Sequence, residues 1–277
     1  IQRRDRDHPL LSQVECAERL AYTDWDRYKI IDEVFHGFVR REPFTNQLYH
    51  AERVRQIQQE LQQLAASMTS DALKKAAGKY ARAIQETSED WYLHWKHGKL
   101  LAEDLKNYGA AFEQFRAVLR FLPHSYIGYD ALASLLLAQG DLDGAIAQYE
   151  KTIRIKPTCG SAHYWLAWAY QKQDKSKTAV KHYREAIRLQ PDYVPAYNNL
   201  AEILYRQGKI DRAVAICRRG LLAVPASAIL HSNLGMLLNM QGYRDEAVAE
   251  LQTAVQLDPN SPDIRRVFNT IAGKKGP

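Results

Sequence analysis

From residue 92 onward, apolar side chains recur at helical spacing, in paired stretches separated by short polar turns. The pairs themselves recur. Pro123, Pro157, Pro191, Pro225 and Pro259 are spaced by 34 residues each time. With proline at position 32 of a unit, the units are 92–125, 126–159, 160–193, 194–227 and 228–261. Position 20 is then Ala111, Ala145, Ala179, Ala213 and Ala247. Position 8 is Ala133, Ala167, Ala201 and Gly235 in units two to five, beside Leu132, Leu166, Leu200 and Leu234 at position 7. Position 4 is Trp95, Tyr129, His163, Tyr197 and His231, and position 24 is Phe115, Tyr149, Tyr183, Cys217 and Leu251. Gly140, Gly208 and Gly242 at position 15 mark the turn between the two stretches. The pattern predicts a helical hairpin per unit. Small residues let two helices approach, large ones fill the space between them, and proline stops the second helix. One hairpin cannot bury its own apolar face, so neighbours must stack.

These columns resemble the tetratricopeptide repeat, over 170 of the 277 residues. The resemblance implies an all-α, right-handed superhelical solenoid, with first helices on the concave face and second helices on the convex face. Unit 92–125 departs from the pattern: Gly98 and Lys99 stand where Leu and a small residue belong.

The flanks are expected to be helical too. Residues 262–272 read as a capping helix, with Ile264, Val267, Phe268 and Ile271 as its apolar stripe and 273–277 as a tail. Residues 1–91 form a helical extension, with helices expected at 11–20, 23–40, 45–67 and 70–86. Residues 58–91 fit a degenerate repeat at Leu64, Ala65 and Ala77, while Glu89 replaces the proline. The block Cys-Ala-Glu-Arg-Leu-Ala-Tyr-Thr-Asp-Trp-Asp-Arg-Tyr (16–28), with Pro-Phe-Thr-Asn-Gln-Leu (43–48), is similar to a segment of large bacterial proteins. In these, an SGNH hydrolase-like domain precedes tetratricopeptide repeats. With Ile1 rather than Met at the start, that similarity makes the chain the C-terminal, non-catalytic part of a longer protein, and then an extracytoplasmic one. Without it, cytoplasmic is the default.

Composition is that of a folded chain, 46% hydrophobic and 25% charged. No run of about 18 apolar residues is present, so no membrane span is expected. Three cysteines, Cys16, Cys159 and Cys217, are too few and too dispersed for a disulfide framework. Residues 92–277 carry 24 basic and 17 acidic side chains. Much of the excess is on second helices, at Arg116, Arg184, Arg218, Arg120, Arg154 and Arg188, expected on a solvated face. Tryptophans are not interleaved with these arginines, which argues against nucleic acid.

No Walker loop, GxGxxG, GxSxG or HExxH motif is present, and no catalytic role or cofactor is expected. Asp141-Leu142-Asp143-Gly144 lacks a third acidic ligand for calcium and reads as a turn. His94 and His97 have no third ligand nearby in sequence for a metal. His163 and His231 occupy the position-4 packing slot, and Cys217 the position-24 core slot.

The resemblance places the variable, partner-reading positions at 2, 5, 6, 9, 12 and 13. There Asn199 and Asn233 form a two-rung asparagine ladder, each amide offering donor and acceptor to an extended backbone. A similar, longer ladder marks O-linked N-acetylglucosamine transferase. Asn198 would join them in holding a peptide backbone, with Trp168, Tyr205 and Met236 as apolar contacts and Glu202 and Asn239 on the same face. Trp165 is expected to pack between repeats. Lys96 alone matches the carboxylate clamp of chaperone-binding repeats, so acidic chaperone tails are not expected partners. The function expected is a protein- or peptide-binding scaffold. Self-association through exposed solenoid ends is a further expectation.

Overall fold

The structure, a computed structural model, describes residues 70–86 and 91–273. The expected helices at 11–20, 23–40 and 45–67 lie outside the described residues, as do Cys16, Leu64, Ala65, Glu89 and the segments 16–28 and 43–48. The described residues fall into two compact units, divided between Asn107 and Tyr108.

In the first unit, α1 (Ser70–Glu86) and α2 (Trp91–Lys99) pack through Ala76, Tyr80, Ala83 and Leu93. Tyr80 stacks on His97, with ring centroids 5.8 Å apart. Helix α2 then widens into a π-helical turn, Leu100–Asp104, where the Leu105 N–H donates to the Leu100 carbonyl. This turn follows Gly98 and Lys99, where the repeat pattern fails. The unit boundary lies between the two helices of 92–125.

The second unit is an all-α solenoid. Helix α3 (Tyr108–Phe121) is followed by four hairpins: α4 (Tyr126–Gln139) with α5 (Leu142–Ile155), α6 (Gly160–Lys172) with α7 (Ser176–Leu189), α8 (Val194–Arg206) with α9 (Ile210–Ala223), and α10 (Ala228–Met240) with α11 (Arg244–Leu257). Each helix packs on the next in sequence. Helix α12 (Pro262–Ala272) closes the stack against α10 and α11.

The columns explain the packing. Ala133, Ala145, Ala167, Ala179, Ala213 and Ala247 have no exposed surface. At Gly235 an added Cβ would lie 2.7 Å from the Leu251 side chain and 2.9 Å from the Ala247 carbonyl, so this crossing admits only glycine without a shift. Tyr149, Tyr183, Cys217 and Leu251 fill the hairpin interiors. One continuous core runs from Tyr164 to Ala247 through repeats 160–193, 194–227 and 228–261, and a smaller one joins Ala133 to Ala169.

Two periodic features hold the corners. Position 15 has a positive φ in every unit: Lys106 (52°), Gly140 (81°), Asp174 (58°), Gly208 (71°) and Gly242 (87°). At the other end of each hairpin, the position-4 ring reaches back to the carbonyl of the preceding position-32 proline. Tyr129 Oη donates to Pro123 O (3.1 Å) and Tyr197 Oη to Pro191 O (2.9 Å). His163 Nε2 lies 3.1 Å from Pro157 O and His231 Nε2 2.9 Å from Pro225 O. The slot therefore selects a flat ring with a donor at its far end, a role beyond packing.

Asp141 is a cap, as a turn residue would be: its Oδ1 accepts from the Gly144 N–H at 2.9 Å. Asp143 Oδ1 accepts from Gln173 of the next repeat at 2.7 Å. Ser261 caps α12, Ile264 is buried, and Arg244 donates to the Ile271 carbonyl at 2.8 Å. No described helix is long and apolar enough to cross a membrane.

Candidate functional site

Helices α8 and α10 are the first helices of adjacent repeats, and they touch directly. On each, side chains at i, i+3, i+4 and i+7 share a face. On α8 these are Asn198, Ala201, Glu202 and Tyr205; on α10, Asn233, Met236, Leu237 and Met240. Together they line an open pocket of about 310 Å³. Five of the eight candidate residues converge there: Asn198, Glu202, Tyr205, Asn233 and Met236. Met240 at position 13 joins them and is 54% exposed, more than Tyr205 at 43%. Column 13 belongs to the variable set, but a methionine there gives no polar signal to single it out.

Trp168, Asn199 and Asn239 are not among the residues lining that pocket. Trp168 is half-buried against the long core, with Lys172 Nζ 5.1 Å over its ring. Asn239 is exposed on the last turn of α10. Asn199 is turned inward. Its Nδ2 donates to Tyr164 Oη (3.2 Å) and Tyr183 Oη (3.1 Å), and its Oδ1 accepts from Asn198 Nδ2 (3.2 Å). Asn233 Nδ2 in turn donates to Asn198 Oδ1 (2.5 Å), and Tyr183 Oη to Gln171 Oε1 (2.7 Å). The asparagines thus form a chain of bonds across three repeats rather than a ladder of free amides. Among the described residues, one N–H on each of Asn198 and Asn233, and the Asn233 Oδ1, have no partner. Burial pushes the Tyr183 hydroxyl well above its ordinary range, which keeps it a neutral member of the chain.

Trp165 differs from expectation. It is 37% exposed, edge-on to Tyr164 (4.9 Å between centroids) and to Trp168 (6.1 Å). The slot between repeats is already filled by Tyr164, Tyr183 and Tyr193. Charge on the pocket rim is balanced: Glu202 holds Arg206 at 2.6 Å.

Elsewhere the titratable groups are structural. Cys159 and Cys217 are buried thiols, and burial pushes Cys217 up to about 12, far from a reactive thiolate. Among the described residues, no cluster of three or more His, Cys, Asp or Glu side chains is placed to hold a metal. Three of the second-helix arginines are tied to carboxylates, Arg116 to Glu113, Arg188 to Glu185 and Arg218 to Glu246. Such exposed pairs contribute little to stability, because water and salt screen them.

Two family models of tetratricopeptide repeats match the chain, one described as TPR repeat at residues 133–174 and 175–208, the other as tetratricopeptide repeat at 199–262. No curated protein matches. Among solved structures, the crystal structure of MamA is 22% identical, with a TM-score of 0.53 over 58% of this chain and 94% of that one. YrrB, described as a TPR protein with an unusual peptide-binding site, is 20% identical, with a TM-score of 0.53 over 69% of this chain and 98% of that one. The APC/C hetero-tetramer Cut9–Hcn1 is 12% identical, with a TM-score of 0.60 over 95% of this chain and 52% of that one. At these identities the likeness is one of fold. The 34-residue columns, the stacked hairpins and the two matching family models agree: through residues 133–262 the chain belongs to the tetratricopeptide-repeat family.

Proposed function

We propose that this protein is a non-catalytic scaffold that seats a segment of a partner protein against the first helices of repeats 194–227 and 228–261. The observation that carries this reading is the open pocket between α8 and α10. Its floor is apolar, and Asn198 and Asn233 stand at one end with an amide N–H each to spare. A bulky partner side chain would displace water from Tyr205, Met236 and Met240, while those amides meet its backbone carbonyls. Asn199 sets the orientation of Asn198 and does not itself touch the partner.

The test is affinity capture from the source cells with the wild-type chain beside a Tyr205→Ser/Met240→Ser variant. Both positions are exposed, so helicity is expected to be unchanged. A partner retained by wild type and lost by the variant supports the groove. A partner held equally by both refutes it.

A second reading rests on the similarity of residues 16–28 and 43–48 to bacterial SGNH hydrolase-like proteins. In it, the repeats position an upstream domain or its substrate. A coding sequence upstream of Ile1 with a serine-bearing block of that type supports this reading, and a start codon there ends it.

A further inference from the structure

Resting on the groove reading above, we propose that the partner segment presents an arginine side chain to the pocket between α8 and α10. The groups left unsatisfied on the lining carry this choice. Among the described residues, Glu202 Oε2, Asn233 Oδ1 and Tyr205 Oη receive no hydrogen bond. Glu202 is the one charged residue of the eight that line the pocket, and Ala201, Met236, Leu237 and Met240 make the rest of the surface apolar.

Arg206 balances the Glu202 charge in total but takes only part of the carboxylate. It holds Oε1 at 2.6 Å, and its own side chain is 72% exposed, so the pair is one that water and salt weaken. Oε2 stays open to an occupant. An apolar occupant would strip water from this oxygen and return nothing, and burying a charged group without a partner is costly. An acidic occupant would meet like charge. A neutral amide or hydroxyl would fill one lone pair and leave the charge where it was. A cation with N–H groups supplies both the charge and the donor.

The layout of the lining distinguishes between cations. Asn198 and Asn233 stand together at one end, and their spare N–H groups with the Asn233 oxygen can meet partner backbone as donors and as acceptor. Glu202 lies one turn further along α8, about 6 Å on. A side chain anchored at the asparagines therefore needs a long apolar stem to reach it, and Ala201, Met236 and Leu237 offer that stem cover. Its head arrives at Glu202 with Tyr205 and Met240 beside it. A guanidinium is flat and weakly hydrated, stacks on an aromatic ring, and divides five N–H groups between neighbouring acceptors. An ammonium is compact and strongly hydrated, and gives up more water for fewer contacts.

The experiment titrates the full chain with blocked peptides acetyl-Ala-Leu-X-Leu-Ala-amide, where X is arginine, lysine, methionine or citrulline, and follows backbone amide shifts by NMR. Citrulline keeps the shape of arginine and removes its charge. We expect the arginine peptide to bind at least about tenfold more tightly than the citrulline and methionine peptides, and about threefold more tightly than the lysine one, with shifts centred on 198–206 and 233–240. Glu202→Gln keeps the side-chain shape and should weaken the arginine peptide by about three- to tenfold while leaving the citrulline peptide unmoved. Arg206→Gln frees Glu202 Oε1 and should strengthen the arginine peptide. Both residues are on the helix surface, so folding is expected to be unchanged. Equal affinity for the arginine and citrulline peptides, no binding of the arginine peptide, shifts centred elsewhere, or an arginine affinity unmoved by Glu202→Gln overturns the proposal. Equal affinity for arginine and lysine overturns the choice of arginine. A captured partner that is lost by Tyr205→Ser/Met240→Ser but held fully by Glu202→Gln overturns the arginine and leaves the groove standing.

Discussion

At position 15 the backbone is left-handed in all five units, yet Lys106 and Asp174 occupy it in two of them. Asp174→Gly is expected to stabilise the chain by up to about 1 kcal/mol, and Gly208→Ala to destabilise it by about the same amount. Chemical denaturation of the two variants checks both signs. The position-4 slot gives a pH prediction. His163 Nε2 faces the Pro157 carbonyl and must donate to it, so neutral His163 turns a lone pair at Nδ1 toward His182 Nδ1, 3.1 Å away. Burial lowers both imidazoles, His182 to about 4. His163 and Lys181 lower His182 further, while Glu150 and Glu185 oppose them; Arg188 lowers His163. Tyr170 stacks on His182 from α6. A folded-state value below the unfolded one means that the unfolded chain takes up the proton first. The contribution is therefore complete above about pH 6.5 and is lost as pH falls from there through about 4. Thermal melts between pH 7.5 and 5 should show a falling Tm in wild type and a flatter profile in His182→Gln, whose amide can still donate to His163. A Tm independent of pH over that range in wild type would refute this. At this scale the sequence was legible by column and not across columns. The asparagines were found at position 6, but the partners of Asn199 are Asn198 at position 5, Tyr164, 35 residues earlier, and Tyr183, 16 residues earlier. A periodic alignment compares equivalent residues in different repeats, and no such column contains a bond between unlike positions.

Among elements, α12 was the easiest to foresee: Pro262 at its start and an apolar stripe at helical spacing need no tertiary information. Its Ile264 is buried on the last hairpin. Ile264→Asp should destabilise the chain by about 2–4 kcal/mol, because it removes apolar burial and leaves a carboxylate without a partner. Ending the chain at Asn260 should go further and expose the apolar side of α10 and α11, with concentration-dependent association visible by light scattering. A monodisperse truncated chain would count against a capping role. Helix α2 was the hardest. Gly98 and Lys99 signalled that the pattern failed, but a missing leucine does not specify what replaces it. Here the outcome is a wide turn at Leu100–Asp104. Such turns depend on a single shifted backbone bond rather than on a side-chain period.

For the molecule as a whole, the fold was readable because every repeat restates it, and the core of the second unit follows from that restatement. Leu200 lies in the middle of the long core shared by three repeats. Leu200→Ala should cost about 2–5 kcal/mol and lower hydrogen-exchange protection in α6 and α10 as well as in its own hairpin. Loss confined to α8 and α9 would mean that the repeats unfold independently. The pocket was less legible than the fold, since it depends on how far two first helices are splayed, which the residues in each column do not state. The proline corners have one more consequence, and it concerns time. Each is closed by a bond between residues only six apart, Pro123 with Tyr129 through Pro225 with His231. A chain leaving the ribosome can lock a corner as soon as the ring has emerged, before any distant segment has been synthesised. Assembly can then proceed hairpin by hairpin, in the order of translation and at the speed of local contacts.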